Sequence, residues 1–198
     1  FSAPTDAVTF TAISGTVSTL AEGSYYLSAA VTGPVQISGT VNLCLNGQTI
    51  QGGITLASGA ILRICDCTGN GKIQTTDTAT VTIAAGNRLE IYGGNISSQS
   101  SYGVIATGGN FLMAGGSVES VSGTGVYLDQ KNRSNNATEV RGGNISGAVY
   151  GVHFEIKGTS SANNPLTISD GVIRGGTAAV FSYDERGTFG NGSDITVK

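Results

Sequence analysis

From about Val31 onward the apolar residues come in short alternating runs, such as Leu89-Glu90-Ile91 and Phe111-Leu112-Met113, separated by glycine and small polar residues. Alternation with period two predicts strands that bury one face and expose the other, and no stretch sustains a helical period. The runs also repeat. Gly103-Val104, Gly125-Val126, Gly151-Val152 and Ala179-Val180 each open a strand, at spacings of 22, 26 and 28 residues. A second landmark keeps step with the first: Gly93-Gly94-Asn95-Ile96-Ser97, Gly115-Gly116-Ser117-Val118, Gly142-Gly143-Asn144-Ile145-Ser146 and the degenerate Asp170-Gly171-Val172-Ile173. Upstream, Ile54-Thr55-Leu56 and Val81-Thr82-Ile83 extend the first series, and Asn46-Gly47-Gln48-Thr49-Ile50 and Asn70-Gly71-Lys72-Ile73 the second.

A repeat of this length cannot bury its inward row alone, but stacked copies pair every strand with the copy above and below. The expected fold is therefore all-β: a single-domain right-handed parallel β-helix, or β-solenoid, of about seven coils of 21 to 28 residues over 31–198. Residues 1–30, with Val8, Phe10, Ile13, Tyr25, Tyr26 and Leu27, read as a cap on its open end. A propeller blade needs about 40 residues per repeat, and a leucine-rich array would show its own ladder. Two insertions, 131–137 and 158–165, lengthen one corner of adjacent coils, where binding surfaces concentrate. Gly187 to Lys198 reads as the start of a further coil, which implies a longer parent protein.

Composition narrows the picture. Glycine numbers 31 and proline 3, so glycine serves turns, not a collagen period. The net charge is −3 with scattered basic residues, which argues against nucleic acid, and no apolar stretch approaches the roughly 18 residues of a membrane span. Turn-rich Thr, Ser, Asn and Gly suit a secreted scaffold. Cys44, Cys65 and Cys67 cannot all pair within one chain, and Cys65-Asp66-Cys67 lacks the second pair that a zinc site needs. They read as packed or corner thiols, with a Cys44–Cys65 or Cys44–Cys67 bridge open in an oxidising compartment.

Aligning the later coils on Val104, Val126, Val152 and Val180 as inward residues turns their neighbours outward in columns. One column holds Ile105, Tyr127, His153 and Phe181; the next holds Thr107, Asp129, Glu155 and Tyr183, followed by Asp184 and Glu185. A third holds Lys131 and Lys157, with Arg186 one position off. Rings beside carboxylates and lysines suit sugar recognition, because ring faces cover the apolar faces of pyranoses while charged groups bond hydroxyls. Tyr127, Asp129, Lys131, His153, Glu155, Lys157, Phe181, Tyr183 and Asp184 are the candidate ligand-binding residues. The same features also suit ring stacking between coils, with the outward charges as solvation.

A catalytic reading would take Asp129 and Glu155, roughly 5 Å apart on neighbouring coils, as a retaining-glycosidase pair. A lyase reading would take Lys157, Lys131 or Arg186 as base and the two carboxylates as calcium ligands. Stacked carboxylates point the same way, which is poor geometry for displacement. His153 is the one histidine, and no Gly-x-Ser-x-Gly elbow is present, so serine-triad chemistry has little support. No metal or cofactor is expected outside the calcium of the lyase reading.

The segments Tyr25-Tyr26-Leu27, Val41-Asn42-Leu43-Cys44-Leu45-Asn46-Gly47-Gln48-Thr49-Ile50 and Leu62-Arg63-Ile64-Cys65-Asp66-Cys67-Thr68-Gly69-Asn70-Gly71-Lys72-Ile73 resemble the repeats of large surface proteins of anaerobic Firmicutes, such as gut clostridia. Those proteins are similar to the pectin-lyase-like right-handed β-helix superfamily. The resemblance runs from Tyr25 onward and implies fold and an extracellular or cell-surface location, not chemistry. The catalytic motifs of pectate lyases and polygalacturonases have no match. The expectation is thus a non-catalytic module of a bacterial surface protein that binds a polysaccharide, host glycan or host protein, or serves as an adhesin stalk. A carbohydrate-active enzyme and a purely structural spacer are the alternatives.

Overall fold

A computed structural model describes residues 9–129, 138–156, 166–184 and 195–197. They form a parallel β-helix in which each coil contributes strands to three faces. No helix occurs among the described residues. The first face stacks Thr11–Thr16, the start of Gly23–Thr32, Thr40–Cys44, Ile61–Cys65, Arg88–Ile91, Asn110–Met113, the start of Thr138–Gly147, the start of Leu166–Gly175 and Ile195–Val197. The second face runs from the far half of Gly23–Thr32 through Thr49–Gln51, Lys72–Thr75, Asn95–Ser98 and Ser117–Ser120 to the far halves of Thr138–Gly147 and Leu166–Gly175. The third stacks Thr19–Leu20, Val35–Ile37, Ile54–Leu56, Ala79–Ala84, Tyr102–Thr107, Thr124–Asp129, Tyr150–Ile156 and Ala178–Asp184.

The core is a set of apolar columns parallel to the axis. Leu43, Ile64, Ile91, Met113, Val140 and Ile168 stack on the first face, which sets the coil length at 21 to 28 residues. Ile50, Ile73, Ile96, Val118 and Ile145 stack on the second, and Ile54, Val81, Val104, Val126 and Val152 on the third, all within about one per cent of full burial. Each such side chain contributes roughly 1.5–3 kcal/mol on leaving water. Because every column continues into the next coil, that burial is shared along the stack and not confined to one centre.

The segment expected as a cap is, in its described part, more of the same stack. Thr11 to Ile13 pair in parallel with Tyr25 to Leu27, and Gly15-Thr16 with Val31-Thr32. Ile13 and Val17 of this first described coil are partly buried against the core.

Strict alternation fails at one outward column of the first face. Glu90 lies between Leu89 and Ile91 but is only 5% exposed. Arg63 and Arg88, reaching it from the coil before and from its own strand, ion-pair with its two carboxylate oxygens, the Arg63 Nε contact being 3.0 Å, and the Tyr92 hydroxyl donates at 2.8 Å. Burial alone would raise the Glu90 pKa, but hydrogen bonds from Arg88, Tyr92 and Arg63 hold it below the usual carboxylate value. Leu112, next in that column, is buried as well.

Candidate functional site

The outward columns sit on the third face, where the sequence alignment put them. Ile105 pairs with Tyr127, Tyr127 with His153 and His153 with Phe181, while Thr107, Asp129, Glu155 and Tyr183 form the neighbouring column in the same register. Followed upstream, the ring column continues as Thr82, Thr55 and Gln36. The face is thus short and polar along its first half and aromatic along its second. A shallow groove of about 280 Å³, bounded by Pro34, Thr55, Thr78, Thr82 and Ile105, leads into the aromatic half.

Glycine at the corner adds two rings that alternation does not predict. A Cβ on Gly103 would lie 2.6 Å from Val118 Cγ1, one on Gly125 2.8 Å from Ile145 Cγ2, and one on Gly151 2.5 Å from Ile173 Cγ2. These glycines therefore face the core column of the second face, and the valine after each faces the core too. Two consecutive inward positions shift the parity, so the residue before the glycine emerges on the same side as the residue after the valine. That residue is Tyr102 in one coil and Tyr150 two coils later. Their column partners in the next coil are small, Thr124 and Ala178 respectively. Each tyrosine ring accordingly reaches the ring of the next coil: Tyr102 lies 5.4 Å from Tyr127, and Tyr150 4.7 Å from Phe181 in a stacked arrangement.

His153 is enclosed by rings, edge-on to Tyr127 at 5.0 Å, to Tyr150 at 5.3 Å and to Phe181 at 5.0 Å. Edge-to-face pairs of this kind are worth about 0.5–1.5 kcal/mol each beyond the area they bury. The ladder therefore stiffens its four coils as well as lining a surface. Its polar border is tied to it: the Tyr127 hydroxyl donates to Glu155 Oε2 one coil along. Asp129 and Glu155 are direct neighbours in the ladder, both half-buried, and Tyr183 beside them is 47% exposed.

The two carboxylates thus belong to register partners on adjacent strands of one face, strands that lie about 4.8 Å apart. A bond held over this face would meet both from the same side, which serves hydrogen bonding and not a two-sided displacement. No group of three or more His, Cys, Asp or Glu able to hold a metal ion occurs among the described residues. Lys131 and Lys157, with Glu185, Arg186 and both insertions, lie outside the described residues; the backbone of Asp184 pairs with that of Ile156, one position along the strand from the carboxylate column.

Of the expected ligand set, the structure brings together Tyr127, Asp129, His153, Glu155, Phe181 and Tyr183, and it adds Tyr102 and Tyr150. The signal for the added pair was in the sequence as Tyr-Gly-Val at 102–104 and again at 150–152. No family model, no curated protein and no solved structure matches this chain.

Proposed function

We propose that the chain is an extracellular, non-catalytic module of a bacterial surface protein, and that its third face binds an extended, uncharged glycan laid along the helix axis. The observation that carries this reading is the continuous run of Tyr102, Tyr127, His153, Tyr150 and Phe181 over four coils, bordered on one edge by Asp129 and Glu155. Rings offer apolar faces and hydroxyl tips, and the carboxylates accept hydrogen bonds from sugar hydroxyls. Coils repeat at about 4.8 Å, close to the rise of one sugar unit in an extended chain, so successive units meet equivalent positions. The carboxylate edge disfavours uronates and sulfated chains by like-charge repulsion.

The edge-on packing of Tyr127, His153 and Phe181 on one another favours a second reading, a stiff spacer whose rings serve only the stack. A glycan array separates the two. The intact chain should retain neutral oligosaccharides and not polyuronates. Tyr183→Ala, at an exposed position, and Glu155→Gln should each weaken retention about tenfold without changing the thermal midpoint by more than about 3 °C. Absence of binding to every glycan, or binding unchanged by both substitutions, overturns the proposal in favour of the spacer.

A further inference from the structure

The three cysteines occupy one corner of the stack, and a single turn brings two of them together. Cys44 and Cys65 end paired strands on neighbouring coils, and the Leu45 N–H continues the ladder onto the Cys65 carbonyl at 2.9 Å. In-register neighbours of a parallel pair direct their Cβ atoms the same way at about the 4.8 Å strand spacing, wider than the roughly 3.5–4.5 Å a disulfide spans between Cβ atoms. Cys67 is placed differently. After Cys65 the chain turns about Asp66, whose Oδ1 accepts from the Gly47 N–H at 2.8 Å and whose Oδ2 accepts from the Gly71 N–H at 2.6 Å. The Gly47 N–H is presented by an Asn46-Gly47 turn, both residues at positive φ, closed by Gln48 N–H to the Leu45 carbonyl at 2.8 Å. This arrangement folds Cys67 back over Cys44, and their Sγ atoms lie 2.8 Å apart. That is roughly 0.8 Å beyond a covalent S–S bond.

We propose that Cys44 and Cys67 are a reactive dithiol, a modification site at which a small-molecule disulfide such as oxidised glutathione converts the pair to a Cys44–Cys67 bridge, with Cys65 remaining a thiol. Cys67 is exposed and Cys44 buried, which fixes the order of events. The Cys67 thiol loses its proton to solvent and its sulfur attacks the disulfide, forming a mixed disulfide and releasing one small thiolate. Cys44, as thiolate, attacks Cys67 Sγ; the Cys44–Cys67 bond forms and the second small thiolate leaves. Two protein thiols are oxidised and one small disulfide is reduced to two thiols, so electrons and protons balance.

The acidities of Cys44 and Cys65 fit these roles, whereas the Cys67 thiol is raised above its ordinary value by its hydrogen bond to Cys44 and by burial, so its attack rests on its exposure. Burial opposes ionisation of Cys44, but hydrogen bonds from Cys67, the Asn46 backbone and Cys65 bring its pKa below the ordinary value. Cys65 is pushed up to about 12 by burial and by the neighbouring Cys44 charge, which keeps it protonated and a poor nucleophile.

The test oxidises the reduced full chain with glutathione disulfide and then alkylates it. Cleavage after Arg63 and before Asp66 puts the three cysteines on separate peptides. Expected are a loss of two hydrogens in the intact mass, alkylation of Cys65 alone, and the Cys44 and Cys67 peptides joined. Cys65→Ser should oxidise in the same way, and Cys44→Ser should stop at a glutathione adduct on Cys67. Alkylation of all three thiols after oxidation, linkage through Cys65, or a Cys44→Ser protein that takes up no glutathione overturns the proposal.

Discussion

Replacing Gly125 by alanine probes the corner that turns the tyrosines onto the ring face. Gly125 has an ordinary negative φ, so the substitution meets no backbone penalty, only contact. The new Cβ would lie 2.7 Å from the Ser146 carbonyl oxygen, 2.8 Å from that of Gly151 and 2.8 Å from Ile145 Cγ2, where ordinary contacts begin near 3.4 Å. Two of the three atoms belong to backbone and cannot rotate away, so the cost falls at the upper end of overpacking, about 3 kcal/mol. In a chain of this size that lowers the melting temperature by roughly 6–12 °C. Gly86 is the matched control: its φ is +80° and nothing lies within 4 Å of its Cβ position. Gly86→Ala therefore bears the left-handed backbone cost of about 1–2 kcal/mol, partly offset by a less flexible unfolded chain, and should lose only about 2–4 °C. Thermal melts followed by far-ultraviolet circular dichroism give both values. A Gly86→Ala loss equal to or larger than that of Gly125→Ala would refute the claim that close approach, and not φ, fixes glycine at this corner.

Three further outcomes follow from particular contacts. Glu90→Gln should destabilise the chain by about 2 kcal/mol at neutral pH, because charged hydrogen bonds from two arginines are lost. The Glu90 carboxyl is depressed in the fold, so its contribution is fully present above the unfolded value of about 4.3 and fades as pH falls through the lower folded value; urea titrations should show the gap between wild type and variant closing over that acid window. Phe154, fully buried on the third face beneath the ring ladder, should cost about 3–5 kcal/mol as alanine, read from urea midpoints. Asp66→Asn removes a carboxylate held below its usual pKa by N–H donors of Gly71, Gly47 and Thr68 against the effect of burial; it should cost about 1–3 kcal/mol in urea titrations at neutral pH and slow Cys44–Cys67 bridging by glutathione disulfide.

The register of the stack was readable because identical landmarks recur: aligning Val104, Val126, Val152 and Val180 reproduced the first two outward columns of the third face, those of Tyr127 and of Asp129. What alternation could not supply was parity at a corner. Gly103 and Val104 both face inward because one strand bends against Val118 of the preceding face, and that places Tyr102 on the ring side. Alternation also misplaces Glu90 as solvated, since the stems and charges of Arg63 and Arg88 that bury it belong to residues 27 and 2 positions away. Landmark glycines marked corners correctly at Gly94 and Gly116, but at Gly142-Gly143 one strand, Thr138–Gly147, runs through the bend and serves two faces. The contact between Cys44 and Cys67 depends on how the Asp66 turn closes, which spacing alone leaves open between two pairings.

The glycan-binding account stands or falls on where a sugar touches the chain. The protein has seven tyrosines and no tryptophan; Tyr102, Tyr127, Tyr150 and Tyr183 lie on the third face, and Tyr25, Tyr26 and Tyr92 on the first. Nuclear magnetic resonance of ring-labelled tyrosine during titration with a neutral oligosaccharide retained on the array reads both sets at once. Saturable shifts confined to the four third-face rings are predicted. Shifts centred on Tyr25, Tyr26 or Tyr92, or no saturable shift at all, would contradict it.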